Sequence, residues 1–266
     1  MHVFLSYPKS GRTWIRFMVD SYLCQLFDLS CDNVFEAETR LRDKAPIEWT
    51  HLTGAMIMKR PYWAMGPIPL GRAAGVPWLM LVRNFQATLA SAYFQARDRI
   101  KVFEGTPSEF VRDPRYGVVK LVTFYNLWEQ IRPSLSSVTM FCFEDFRNET
   151  KEQFARVVEA LHLPLEEDLL EQSVAAGSFD AMKRLSVTQA YRGTPLAPTD
   201  RDRPETFKVR QAGGGEGGAR ELFTPEDQVF IARVVDDLFL HKDDPIYQRC
   251  LGQPGRTTKA PAAADS

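Results

Sequence analysis

Short unbroken apolar runs alternate along this chain with longer stretches in which apolar residues recur every third or fourth position. Residues 47–51, preceded by Pro46, are a candidate strand, and residues 3–7, 78–83 and 138–143 are runs of the first kind. Their near-continuous hydrophobicity predicts strands buried on both faces, the signature of a parallel sheet. In residues 13–27, by contrast, Trp14, Phe17, Met18, Tyr22 and Leu26 fall on one side of a helix. The same period predicts helices over residues 86–99 and 116–131, the second stopping at Pro133. Further helices are predicted over residues 150–161, 165–176, 179–185 and 225–240, the last with Thr224 as N-cap. Strands separated by helices predict a single α/β domain, a central parallel sheet with helices on both faces. Residues 1–251 make up that domain. Residues 200–218, polar and rich in glycine, predict a flexible loop. Residues 252–266 lack any periodicity and predict a disordered tail.

Composition narrows the function more than the fold. Lys and Arg number 33 against 34 Asp and Glu, a formal charge of −1. Nothing global therefore attracts nucleic acid or an anionic membrane, and an anion site must be built locally. The four cysteines, Cys24, Cys31, Cys142 and Cys250, have no zinc-ligand spacing, so no metal site is expected. Cys24 and Cys142 lie in apolar runs and read as buried thiols, which fits a reducing compartment. The start of the chain does not have the form of a signal peptide, and no apolar stretch reaches the ~18 residues of a membrane span. The expected location is the cytoplasm.

The segment Tyr7-Pro8-Lys9-Ser10-Gly11-Arg12-Thr13-Trp14 joins the first strand to the first helix. Backbone N–H groups converge at such a helix start, and the helix dipole adds positive potential. Gly11 allows the backbone to approach an anion, Lys9 carries a mobile charge, and Ser10 and Thr13 offer hydroxyl donors. The order of residues differs from the Walker loop of nucleoside triphosphatases, where lysine follows the glycines. No acidic residue is evidently placed for Mg²⁺.

This octapeptide closely resembles the 5'-phosphosulfate loop of the cytosolic-type sulfotransferases, including bacterial-like members. Arg12 is its one departure, at a position where the backbone makes the contact. The resemblance implies a P-loop-like nucleotide-binding fold and use of 3'-phosphoadenosine 5'-phosphosulfate (PAPS), with release of 3'-phosphoadenosine 5'-phosphate (PAP) and no metal. It implies that Lys9 stabilises charge on the bridging oxygen as the S–O bond breaks, and that Trp14 packs on adenine. Leu81-Val82-Arg83-Asn84 followed by Ser91-Ala92-Tyr93 is similar to a second family segment, which implies that Arg83 and Ser91 hold the 3'-phosphate. Arg83 also ends a strand at the edge where α/β folds bind ligands, and its fork suits phosphate. Phe141 to Asp145 resembles a strand end where the family usually has tyrosine at the position of Phe143. Ser178-Phe179-Asp180-Ala181-Met182-Lys183 resembles the segment whose phenylalanine stacks on adenine, here Phe179. Gly177 stands where some relatives have a threonine that helps bind the base. The stretch from Phe207 to Thr224 resembles a C-terminal loop that places Arg210, Gln211 and Ala212 near the 3'-phosphate. Arg220, Thr224, Pro225 and Val229 occupy the positions of a family dimerisation motif and depart from it, which leaves the oligomeric state open.

A sulfuryl acceptor must lose a proton, and a histidine suits that task. His2 precedes the first strand, His162 follows a helix, and His241 ends one; each has a structural explanation. His51 ends the second strand, where bacterial-type relatives carry a Thr-His pair with the histidine as general base. Tyr62, Trp63, Met65, Phe94 and Phe103 are candidates for an apolar acceptor pocket, or equally for packing. The expected activity is sulfuryl transfer from PAPS to a hydroxyl or amine of a small molecule. The alternatives are a P-loop-type small-molecule kinase and a nucleotide-binding module without catalysis.

Overall fold

The computed structural model describes residues 1–68, 70–197 and 221–251. Four parallel strands make its sheet: β1 (His2–Ser6), β2 (Ile47–Thr50), β3 (Pro77–Val82) and β4 (Ser137–Cys142), in the order β2-β1-β3-β4. The helices of the first half are α1 (Arg12–Leu26), α2 (Glu36–Arg40), α3 (Phe85–Phe94), α4 (Pro107–Arg112) and α5 (Val118–Ile131). Those of the second half are α6 (Phe143–Asn148), α7 (Thr150–Ala160), α8 (Glu167–Ala176), α9 (Phe179–Ser186), α10 (Pro225–Leu238) and α11 (Pro245–Leu251).

Side chains alternate across the sheet, so each strand feeds two cores. Phe4, Leu79, Leu81 and Phe141 face α1, α7 and α8. Val3, Leu5, Trp78, Met80, Val82 and Cys142 face α3, α5, α10 and α11. Both faces are covered, as the unbroken apolar runs predict. Because all strands run the same way, Ser6, Thr50, Val82 and Cys142 end at one edge. No helix among the described residues is long and apolar enough to cross a membrane.

Departures from the sequence-based elements have local causes. The apolar run of β4 ends one residue early, because Phe143 opens α6. α4 has six residues, too few for a visible period, yet its capping box of Thr106 and Glu109 stands in the sequence. α3 runs on into a π-turn, Gln95–Arg99. α10 stops at Leu238 because Asn126 of α5 bridges its end: Nδ2 donates to the Leu238 carbonyl (2.8 Å) and Oδ1 accepts from the Leu240 amide (3.1 Å). α11 was not anticipated; it is held by Tyr247, whose hydroxyl donates to buried Glu129 at 2.7 Å. The glycine-rich loop and the C-terminal tail lie outside the described residues.

Candidate nucleotide and acceptor site

The loop after β1 is shaped by two residues in the left-handed region, Lys9 (φ 73°) and Gly11 (φ 103°), on either side of Ser10. The Ser10 amide closes a tight turn on the Tyr7 carbonyl at 3.3 Å. A left-handed lysine is strained, and such strain persists where surrounding structure holds it. Gly11 is required twice. Besides its φ, a Cβ there would come within 2.3 Å of the Phe143 ring. α1 begins directly after it, with no side-chain cap and no acidic residue in its first turn. Its leading amides therefore point at the loop without partners from the helix.

Around this loop several buried polar atoms have no hydrogen-bond partner among the described residues: Ser6 Oγ, Ser10 Oγ, Arg12 Nη1 and Arg83 Nε. Arg83 reaches the loop from the end of β3. Its Nη1 donates to the Lys9 carbonyl at 2.8 Å, and its guanidinium lies 4.5 Å from the centroid of the Phe143 ring. Burial works against its charge, which Glu144 supports and Arg147 opposes. Arg12 is pushed down to about 10, first by burial and then by Arg16, with Glu38 acting the other way. Buried cationic donors left unpaired are costly. Their convergence on one glycine-containing loop fits an anion such as a nucleotide phosphate.

Lys9 Nζ donates to Gln95 Oε1 (3.4 Å), which also accepts from Arg99 Nη1 (3.3 Å). Ser91 lies in the last turn of α3, four residues before Gln95, which opens the π-turn. Thr13 sits in the first turn of α1. Trp14 is fixed by its indole N–H, which donates to the Gly177 carbonyl at 2.8 Å, and stands edge-on to Phe143 at 5.8 Å. Phe179 opens α9 behind the N-cap Ser178. Trp14 and Phe179 pack against one buried cluster of Phe17, Phe35, Met182, Tyr191 and Leu196. Gly177 has a packing reason of its own, since a Cβ would meet Met18 at 2.5 Å. Arg210, Gln211 and Ala212 lie outside the described residues.

His51 follows β2 at the same edge. Its Nδ1 lies 2.7 Å from the Ser6 carbonyl oxygen. A carbonyl can only accept, so Nδ1 carries the proton and Nε2 presents a lone pair. The ring is lowered to about 3 by burial first, then by Arg12, with Lys9 adding to the effect and the Ser6 bond opposing it. His51, Lys9, Arg12 and Arg83 thus come together from three separate segments, Lys9 and Arg12 sharing the one that follows β1. The other histidines stand elsewhere: His2 and His162 pair edge-on at 5.1 Å beyond the opposite strand ends, and His241 rests against Phe239.

Of the apolar acceptor candidates, Met65 and Phe103 belong to the core, Phe103 packing on Tyr93, Phe110 and Tyr116. Phe94 packs beside Tyr93. Tyr62 and Trp63 remain in the loop after His51, with Trp63 66% exposed. The sequence reading passed over Gln95, although its spacing of one turn from Ser91 was visible. It also passed over Phe143 as the reason for Gly11. Cys142, Glu144 and Cys250 place their ligand atoms within 4.8 Å of one another, a grouping hidden by their sequence separation. Glu144 is engaged there, accepting from the Asn84 amide at 3.0 Å and from the Cys142 thiol at 3.2 Å.

No protein-family profile matches the chain. Solved structures do. A mouse sulfotransferase, SULT7A1, crystallised with PAP, superposes with a TM-score of 0.61 at 18% identity, covering 94% of this chain and 87% of that one. Retinol dehydratase in complex with androsterone and the inactive cofactor PAP gives a TM-score of 0.56 at 15% identity, over 89% of this chain and 80% of that one. Its complex with retinol and PAP gives 0.58 at 15% identity over the same shares. The chain therefore has the sulfotransferase fold.

Proposed function

We propose that this protein is a PAPS-dependent sulfotransferase acting on a hydroxyl or amine of a small molecule. The observation that carries the reading is a pair of buried guanidinium nitrogens, Arg12 Nη1 and Arg83 Nε, that have no partner among the described residues beside a strained lysine–glycine loop. Neighbours of the same fold were crystallised with PAP. In this reading Ser10, Gly11, Arg12 and Thr13 receive the 5'-phosphosulfate, Arg83 and Ser91 the 3'-phosphate, and Trp14 and Phe179 the adenine. Arg210, Gln211 and Ala212 complete the 3'-phosphate side. His51 Nε2 takes the proton of the acceptor as its oxygen or nitrogen bonds to sulfur. Lys9, released from Gln95, stabilises the negative charge that builds on the phosphate oxygen as its bond to sulfur breaks. The products are the sulfated acceptor and PAP. The low proton affinity of His51 comes first from burial and then from the nearby charges of Arg12 and Lys9, and donor phosphates would offset that second cause and raise it toward the range a general base needs.

Calorimetric titration with PAP, ATP and ADP, each with and without Mg²⁺, tests the donor. Metal-independent binding of PAP, lost in Arg83→Ala, supports the reading. Preference for ATP with Mg²⁺, or no binding, overturns it. An acceptor screen with His51→Ala as control then tests the base.

A further inference from the structure

The acceptor side of this site carries a cation that the transfer chemistry does not use. Lys120 lies on α5, its side chain is completely buried, and its Nζ has no hydrogen-bond partner among the described residues. One turn further along the same face is Phe124, which packs on Tyr7 with ring centroids 5.2 Å apart. A Cβ on Gly54 would touch Phe124 at 3.0 Å and Pro8 at 3.4 Å. Lys120 therefore stands about one helical turn, ~5 Å, from the ring that backs the phosphate loop. The segment after His51 covers it: the Tyr62 amide donates to the Pro114 carbonyl at 2.9 Å, just ahead of α5.

Among the described residues no carboxylate is hydrogen-bonded to this lysine. Burial lowers it to about 8, and Arg60 pushes the same way. Asp113 opposes them, but its carboxylate is engaged by Arg115, whose amide and Nε reach Oδ1 (2.7 and 3.1 Å) and whose Nη2 reaches Oδ2 (2.7 Å). A buried ammonium with no partner is destabilising, and an anion that enters would relieve it. The covering segment is apolar and basic at its surface: Ile57, Met58 and Trp63 are exposed, with Lys59 and Arg60 between them.

Building on the sulfotransferase reading, we propose that the acceptor is an amphipathic anion, a hydroxylated carboxylate whose acid group pairs with Lys120. A neutral phenol or alcohol leaves Lys120 unpaired and binds less well.

The test is calorimetric, on the full chain with and without PAP. The probes are para-hydroxybenzoate and ω-hydroxylauric acid, each against its methyl ester. The acid of at least one pair is expected to bind about tenfold or more tightly than its ester, the scale of a charge-assisted bond. Lys120→Met should abolish that difference and Lys120→Arg should keep it. Lys120→Met should also melt higher than the wild type, since an unpaired buried charge is gone. Equal affinity within both pairs, discrimination that survives Lys120→Met, or a lower melting point of that variant overturns the proposal. Failure of the wild type to bind PAP, with acid–ester discrimination intact, sinks the donor reading and leaves the anion site standing.

Discussion

The two ends of the same four strands are built to different rules. At the N-terminal end the chain closes on itself. The His2 amide donates to the Pro46 carbonyl (2.9 Å), the Ser136 amide to Ala74 (3.0 Å), and the Trp78 indole to Ala73 (2.8 Å), with Trp78 packed on Trp128. The unpartnered buried atoms there are ring nitrogens of His2 and Trp128. At the C-terminal end they are hydroxyls and guanidinium nitrogens of Ser6, Ser10, Arg12 and Arg83, beside a left-handed lysine. One end spends its polar groups on the fold. The other withholds them, at a cost in stability, and such a cost is what a ligand repays.

This contrast can be broken by substitution. Trp128→Ala on the closed side should destabilise by about 3–5 kcal/mol, lowering Tm by roughly 10 °C. The fraction that stays folded should bind PAP as the wild type does, which denaturation and titration read separately. Arg83→Ala on the open side should show the reverse: about 10- to 100-fold weaker PAP binding with Tm unchanged or raised. A large fall in Tm for Arg83→Ala would mean that the two ends do not differ as described.

His51 sharpens the same comparison through pH. Its folded value, about 3, lies below the unfolded ~6.5, so the unfolded chain binds a proton that the folded chain does not. Its contribution to stability is therefore intact above pH ~6.5 and is lost as pH falls toward 3. Denaturation of the wild type and His51→Gln across that window should show a flatter pH dependence in the variant. In NMR titrations, saturating PAP should move the His51 midpoint upward; an unmoved midpoint would separate His51 from the anion site. The smallest effect belongs to Asn126→Ala, which removes the bridge at the end of α10. It should cost about 1 kcal/mol in chemical denaturation and leave PAP binding unchanged.

Several residues of the proposed site stand in local patterns of the chain. The loop from Tyr7 to Trp14, the strand-ending Arg83, Ser91 two turns later and the Ser178-Phe179 pair are local patterns. Local patterns survive because a strand end, a helix start and a helix face are set by neighbours in sequence. His51 was visible for the same reason, as a histidine at the end of a predicted strand. Phe103 and Met65 stayed open between pocket and packing because an aromatic or thioether side chain in a loop segment looks alike whether it lines a pocket or fills a core. Their burial depends on elements that approach from elsewhere.

The alternation of apolar runs with helical periodicity determined by itself that the sheet is parallel, covered on both faces, and open to a ligand at one edge, since it follows from backbone geometry and burial alone. Only the tertiary structure decided what the edge contains. It set Phe143 against Gly11, so that no other residue fits the loop, and aimed Gln95 at Lys9. It also placed Lys120, an ordinary polar position in a helical pattern, beneath the segment that follows His51. Such contacts join positions that are distant in the chain, and their energy depends on which groups are left unpaired once everything has packed. No local pattern carries that information.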